Sequence, residues 1–134
     1  MLSRKQRKQP TLPTSVGIVD ELGLVMHCAL LGMQYGDTSS TNWVSLAKVL
    51  LTISIATDGD GRVNHLDKTL IDASVLVLRQ IADRQLRSQA WEAEASEYPC
   101  LARGILAAER ALAVTNYQKL VKAYSSVIDL MEHL

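Results

Sequence analysis

Phenylalanine is absent from this chain, aromatic residues make up only 4% of it, and there are three prolines and two cysteines. With so few rings, Leu, Val, Ile and Ala must carry the packing. Three prolines and seven glycines in 134 residues disfavour a turn-rich sandwich or barrel and favour helices. Two cysteines build no disulfide framework, and Cys28 and Cys100 both lie in apolar helical contexts, so both are expected as buried free thiols. The basic N-terminus lacks the apolar run of a signal peptide. No stretch holds the ~18 uninterrupted apolar residues of a membrane span: Lys48 breaks one candidate, and Asp20, Glu21 and His27 break the other. These absences point to a cytoplasmic protein away from the membrane.

Recognised catalytic spacings are missing too. There is no H-E-x-x-H, no C-x-x-C and no glycine-rich phosphate loop, and residues 36–40 (GDTSS) lack the lysine a phosphate loop needs. No serine sits in a nucleophile elbow, and neither cysteine has a histidine at a telling distance. The expectation is a protein that is not an enzyme and uses no cofactor.

What is present is a helical pattern. Residues 43–57, WVSLAKVLLTISIAT, carry one charge, Lys48, and are apolar almost all the way round. Such a helix must be buried, because no face of it suits water. The rest of the chain reads as helices around it: an all-α, single-domain antiparallel bundle of four to five helices about a buried second helix. Residues 1–14 form a flexible basic arm, and residues 15–134 form the bundle.

Ser15 is placed to cap a first helix running to about Tyr35, with Ile18, Leu22, Val25, Met26, Ala29 and Met33 on its inner face. Thr41 or Asn42 is the expected cap of the second helix. Asn64 opens a third, running to about Glu94, with Leu66, Leu70, Ala73, Val77 and Ile81 as its main stripe. Ser96 is the expected cap of a fourth, with Pro99 in its first turn. The apolar register changes near Thr115, where Thr115 and Gln118 form a capping-box pattern. With no Gly or Pro between Ile105 and Leu134, a continuous bent helix is favoured over two.

Three places could carry function. The first is the outer face of the first helix. Leu24, Leu31 and Tyr35 step by seven and four and line up there with His27 and the acids Asp20 and Glu21. Such a stripe reads either as a contact surface, where the helix glycines would let a partner come close, or as core that a fourth-helix segment folds over within one chain.

The second is the loop at residues 56–67, which resembles in part the calcium loop of an EF-hand. Gly61 lies at the sharp turn, and Asp58, Asp60 and Asp67 fall on ligand positions. Ala56 at the first ligand position has no side-chain oxygen, and Asp67 is one methylene shorter than the bidentate Glu. A turn built from Gly and Asp explains the loop better than a metal site.

The third is the arm. Arg4, Lys5, Arg7 and Lys8 put four positive charges in ten residues with no acid among them, leaving the remainder at ten basic against fourteen acidic, net −4. Only the arm could meet phosphates. An acidic stretch, Glu92, Glu94 and Glu97 with Trp91 and Tyr98, reads as an aromatic plug over the core end.

Mean hydropathy is slightly positive at +0.07, high for a small monomer, so either nearly everything apolar is buried or part of the surface is an interface. The resulting expectation is a protein-interaction module: a homodimer, or an inhibitor or adaptor of a larger bacterial or phage assembly. The bacterial and phage setting rests on analogy of size and class with small accessory proteins. A nucleic-acid-associated bundle using the arm and a divalent-metal binder at the loop are the alternatives.

Overall fold

The computed structural model describes residues 14–36 and 39–132. These form five helices and no strand: α1 (Val16–Gln34), α2 (Ser40–Ala56), α3 (His65–Ser88), α4 (Tyr98–Leu112) and α5 (Tyr117–Glu132). The expected all-α bundle is what the chain adopts.

α2 is its centre. Of its residues only Ser40, Thr41 and Ile55 are exposed, and Leu46, Leu50 and Ile53 are sealed from solvent. It packs against each of the other four helices. Its cap is Ser39, whose hydroxyl accepts from the Thr41 amide at 3.4 Å, and not Thr41 or Asn42. Several polar residues in a row can cap, and the earlier one wins here because Asn42 is used elsewhere. It lies against Gly32 of α1, where a β-carbon would collide with it.

The other termini mix agreement with correction. Ser15 caps α1, accepting from the Ile18 amide at 3.3 Å, and Asn64 caps α3, accepting from the Leu66 amide at 2.8 Å. α3 stops at Ser88 rather than Glu94, with Gln89 in the left-handed region at φ 58°. Beyond it the chain turns back, and Trp91 packs against Trp43 of α2 with ring centroids 4.7 Å apart and the planes tilted by 48°. Ser96 does not cap α4. The N-cap is Glu97, whose carboxylate accepts instead from Arg84 at 2.6 Å and from the Glu94 amide at 2.7 Å.

The favoured continuous last helix is two helices. The Thr115 carbonyl accepts from both the amide (3.1 Å) and the hydroxyl (2.9 Å) of Thr14. The Asn116 side chain then accepts from the Gln118 amide at 2.7 Å. A long-range tether and a new cap break the helix without Gly or Pro. They also make Thr14, which is buried, part of the bundle and not of the arm.

Short loops predict that successive helices pack side by side. That holds for α1 with α2, α2 with α3, and α3 with α4, but α5 leaves α4 and rests on α2 alone. The α3–α4 contact is the most extensive. It is made by Ile71, Ser74, Leu78 and Ile81, all buried, while Leu66 of the expected stripe is exposed. The stripe is rotated because Ser74 faces Gly104 of α4. A β-carbon on residue 104 would strike the Ser74 side chain and come within 3.2 Å of the Leu70 carbonyl oxygen. Two small residues let the helices approach closely, so a serine sits in the core, its hydroxyl donating to the Ile71 carbonyl at 2.6 Å.

Gly104→Ala tests this contact. Alanine gains helix propensity of up to ~1 kcal/mol, yet overpacking costs ~1–3 kcal/mol. The expected outcome in chemical denaturation is net destabilisation, eased by Ser74→Gly in the same chain. A Gly104→Ala variant more stable than the parent would show that α3 and α4 do not meet as described.

Candidate protein-docking face

α1 buries Gly23, Met26, Ala29, Leu30 and Met33 against α2 and α4. Among the described residues nothing covers the opposite face. Leu24, Leu31 and Tyr35 are 64%, 51% and 80% exposed, and Cys28 between them is exposed as well. The expectation of a buried thiol at Cys28 is therefore wrong, and Cys100 is only half-buried. Position decides both. Cys28 lies on the same helical side as Leu24 and Leu31, four residues from one and three from the other.

His27 stands at the edge of this stripe and not within it. Its Nε2 lies 2.6 Å from Oε1 of Glu109 on α4. The Glu109 carboxylate fills the space a side chain at Gly23 would need, 2.7 Å from where a β-carbon would stand. Gly23 and Gly32 thus serve contacts within the chain, to Glu109 and Asn42. Only Gly17 of the α1 glycines is open.

The stripe continues into a groove that sequence reasoning missed. α1 and α5 both pack on α2, and their backbones stay apart. Between them lies an open apolar groove of about 250 Å³, lined chiefly by Leu22 of α1, Val49 and Ile53 of α2, and Leu120, Val121 and Tyr124 of α5. Val25, exposed and three residues from Leu22, falls by helical spacing between Leu22 and the outer stripe. On α5, Tyr117, Val121, Tyr124 and Ile128 step by four, three and four beside the buried Leu120, Ala123 and Val127. That second stripe was visible in the sequence as an apolar surplus. What was not visible is that α5 would turn away from α4 and leave it uncovered.

By length and hydropathy α1 is apolar enough to cross a membrane, with 28% of that stretch buried in the bundle. Asp20, Glu21 and His27 do not therefore exclude it on composition.

The other candidate sites resolve into ion pairs. In the α2–α3 loop, Asp58 lies 3.2 Å from Lys68, Asp60 is held by Arg62 at 3.1 Å with Lys119 of α5 at 3.7 Å, and Asp67 meets Arg110 of α4 at 2.8 Å. The three carboxylates face three different cations, so the loop does not bring them together as ligands. Among the described residues no group of three His, Cys, Asp or Glu side chains could hold a metal. Gly59 takes the left-handed turn at φ 68°.

Near residues 91–98, Arg84 gathers Glu97 at 2.6 Å, Glu94 at 3.6 Å and the Glu92 carbonyl at 3.1 Å. The Tyr98 hydroxyl donates to the Met33 carbonyl at 2.9 Å. The aromatics close the core end as expected. Arg4, Lys5, Arg7 and Lys8 of the arm lie outside the described residues.

No protein-family model matches the chain, and no curated protein or solved structure matches it either.

The Asp60 pair makes a pH prediction. Chiefly through the hydrogen bond from the Arg62 side chain, its carboxyl is lowered from 3.8 to about 2. A depressed folded-state pKa contributes stability above the unfolded value and loses it as pH falls through the folded value. Asp60→Asn should therefore be less stable than the parent at pH 7. The gap should close as pH drops from about 4 to 2 in thermal melts. A gap that is constant over that range would show that the ion pair contributes nothing.

Proposed function

We propose that this chain is a non-enzymatic helical protein-interaction module whose working surface is the α1–α5 face. The observation that carries this reading is continuity: the outer stripe of α1 runs through Val25 and Leu22 into the apolar groove and across to Val121 and Tyr124. Single exposed leucines are ordinary on a soluble protein. A connected apolar surface spanning two helices and the groove between them is the mark of a binding site.

Chemistry on the face supports protein over lipid or nucleic acid. α1 contains no Lys or Arg at all, whereas helices that lie on membranes carry basic residues on their polar side. The body as a whole is acidic. A surface thiol at Cys28 is at ease in a reducing compartment, which fits the cytoplasm. A module of this size with one apolar face suits an adaptor or inhibitor that docks on a larger assembly, or a protein that pairs with itself.

Leu24→Glu with Leu31→Glu tests the reading. Both side chains point away from the core, so the double variant should keep its circular dichroism and melting temperature within a few degrees. In light scattering, or in capture of a host partner, it should lose the larger species that the parent forms. A double variant that unfolds would place the stripe in the core. One that folds and associates like the parent would remove the face from the function.

A further inference from the structure

We infer that the occupant of this face is a second copy of the chain, joined through an antiparallel α1–α1 contact whose two-fold axis passes beside Cys28. The inference rests on the docking face proposed above and names its partner.

Three observations support it. The first is area. The exposed parts of Leu24, Val25, Leu31, Tyr35, Val121 and Tyr124 leave on the order of 700 Å² of surface, close to the ~800 Å² per partner of a standard interface.

The second is charge. Asp20 and Glu21 are the only acids of α1, both near its start, with no cation on the helix to offset them. A parallel pair would set the four carboxylates of two copies side by side. An antiparallel pair separates them by some sixteen residues, about 24 Å at 1.5 Å per residue. That is beyond the Debye length at ordinary salt, ~8–10 Å. Opposed helix dipoles favour the same direction.

The third is register. The stripe is nearly symmetric about Cys28, with Leu24 four residues before it and Leu31 three after. A two-fold there sets Leu24 of each copy near Leu31 and Gly32 of the other, and Leu31 near Val25. It also lays Tyr35, the most exposed large side chain on the face, across Glu21 and Leu22 at the mouth of the groove. Its ring would cover apolar surface between α1 and α5 and keep its hydroxyl beside a carboxylate. The groove, left open because α5 rests on α2 alone, is closed by the second copy.

The full-length Cys100→Ser chain leaves Cys28 as the sole thiol and serves as the test. At high micromolar concentration, static light scattering should give twice the 14.7 kDa chain mass. Copper–phenanthroline with oxygen, or a short bis-maleimide, should link the chains at Cys28 in most of the sample, and Leu31→Glu should abolish both signals. A dimer that neither reagent links overturns the two-fold.

A monomer that binds an apolar dye such as anilinonaphthalene sulfonate, with binding lost in Val121→Lys, overturns the second copy but keeps the docking face. A monomer that binds no dye overturns both. Sedimentation with phosphatidylcholine vesicles without dimerisation overturns the inference in favour of a lipid surface.

Discussion

Burial of α2 is the constraint on which the other elements depend. A seventeen-residue helix with a single charge has no side that water would accept, so it must be wrapped. Lys48 is the exception and lies at a partly open edge, where the Thr52 hydroxyl donates to its carbonyl at 2.6 Å. The four remaining helices are arranged by how each covers α2. α3 and α4 form the tight pair, locked by Ser74 against Gly104. α1 closes against α4 through His27 and Glu109, and Trp43 is pinned by its indole donating to the Leu78 carbonyl at 2.9 Å.

α5 is held differently. It buries Leu120, Ala123 and Val127, the α4–α5 turn that leads into it is tied to Thr14 through the Thr115 carbonyl, and Lys119 reaches Asp60. The bundle is closed on the α1–α4–α3 side and open on both flanks of α5. The flank toward α1 is apolar, whereas the other carries Lys119, Lys122 and Asp58. This asymmetry is why the proposed docking face is assigned to the α1 side. Without Phe, the chain covers α2 with small aliphatic side chains on many helical faces, and apolar side chains remain exposed on α1 and α5.

The helical class, the central helix, the caps at Ser15 and Asn64, and the uncovered stripe at Leu24, Leu31 and Tyr35 were all legible from spacing. They depend on local periodicity, which a single sequence carries. Several of the differences share a cause, a contact between residues far apart in the chain, whereas the Ser39 cap, the end of α3 at Gln89 and the exposure of Cys28 are local. Ser74 was not read as core because its partner Gly104 is thirty residues away. Ser96 has cap chemistry, but the chain enters α4 at Glu97, whose carboxylate is claimed by Arg84 thirteen residues away. The last helix was read as continuous because the tether from Thr14 has no local signature. The groove depended on the path of α5 and so could not be placed. The aspartates of the 58–67 loop looked clustered in sequence, and Lys68, Arg62 and Arg110 draw them apart.

α2 is wrapped by a closed pair, α3 and α4, and by two arms, α1 and α5, whose outer sides carry exposed apolar residues. Amide hydrogen exchange over a range of protein concentrations tests this arrangement most directly. Amides of α2, α3 and α4 should exchange slowly and independently of concentration, because they open only with the whole bundle. Those of α5 and the outer turns of α1 should exchange faster in dilute solution and slow markedly as concentration rises. Protection of α5 equal to that of α2 at every concentration would contradict the account, since it would mean that the α1–α5 side is already complete in one chain.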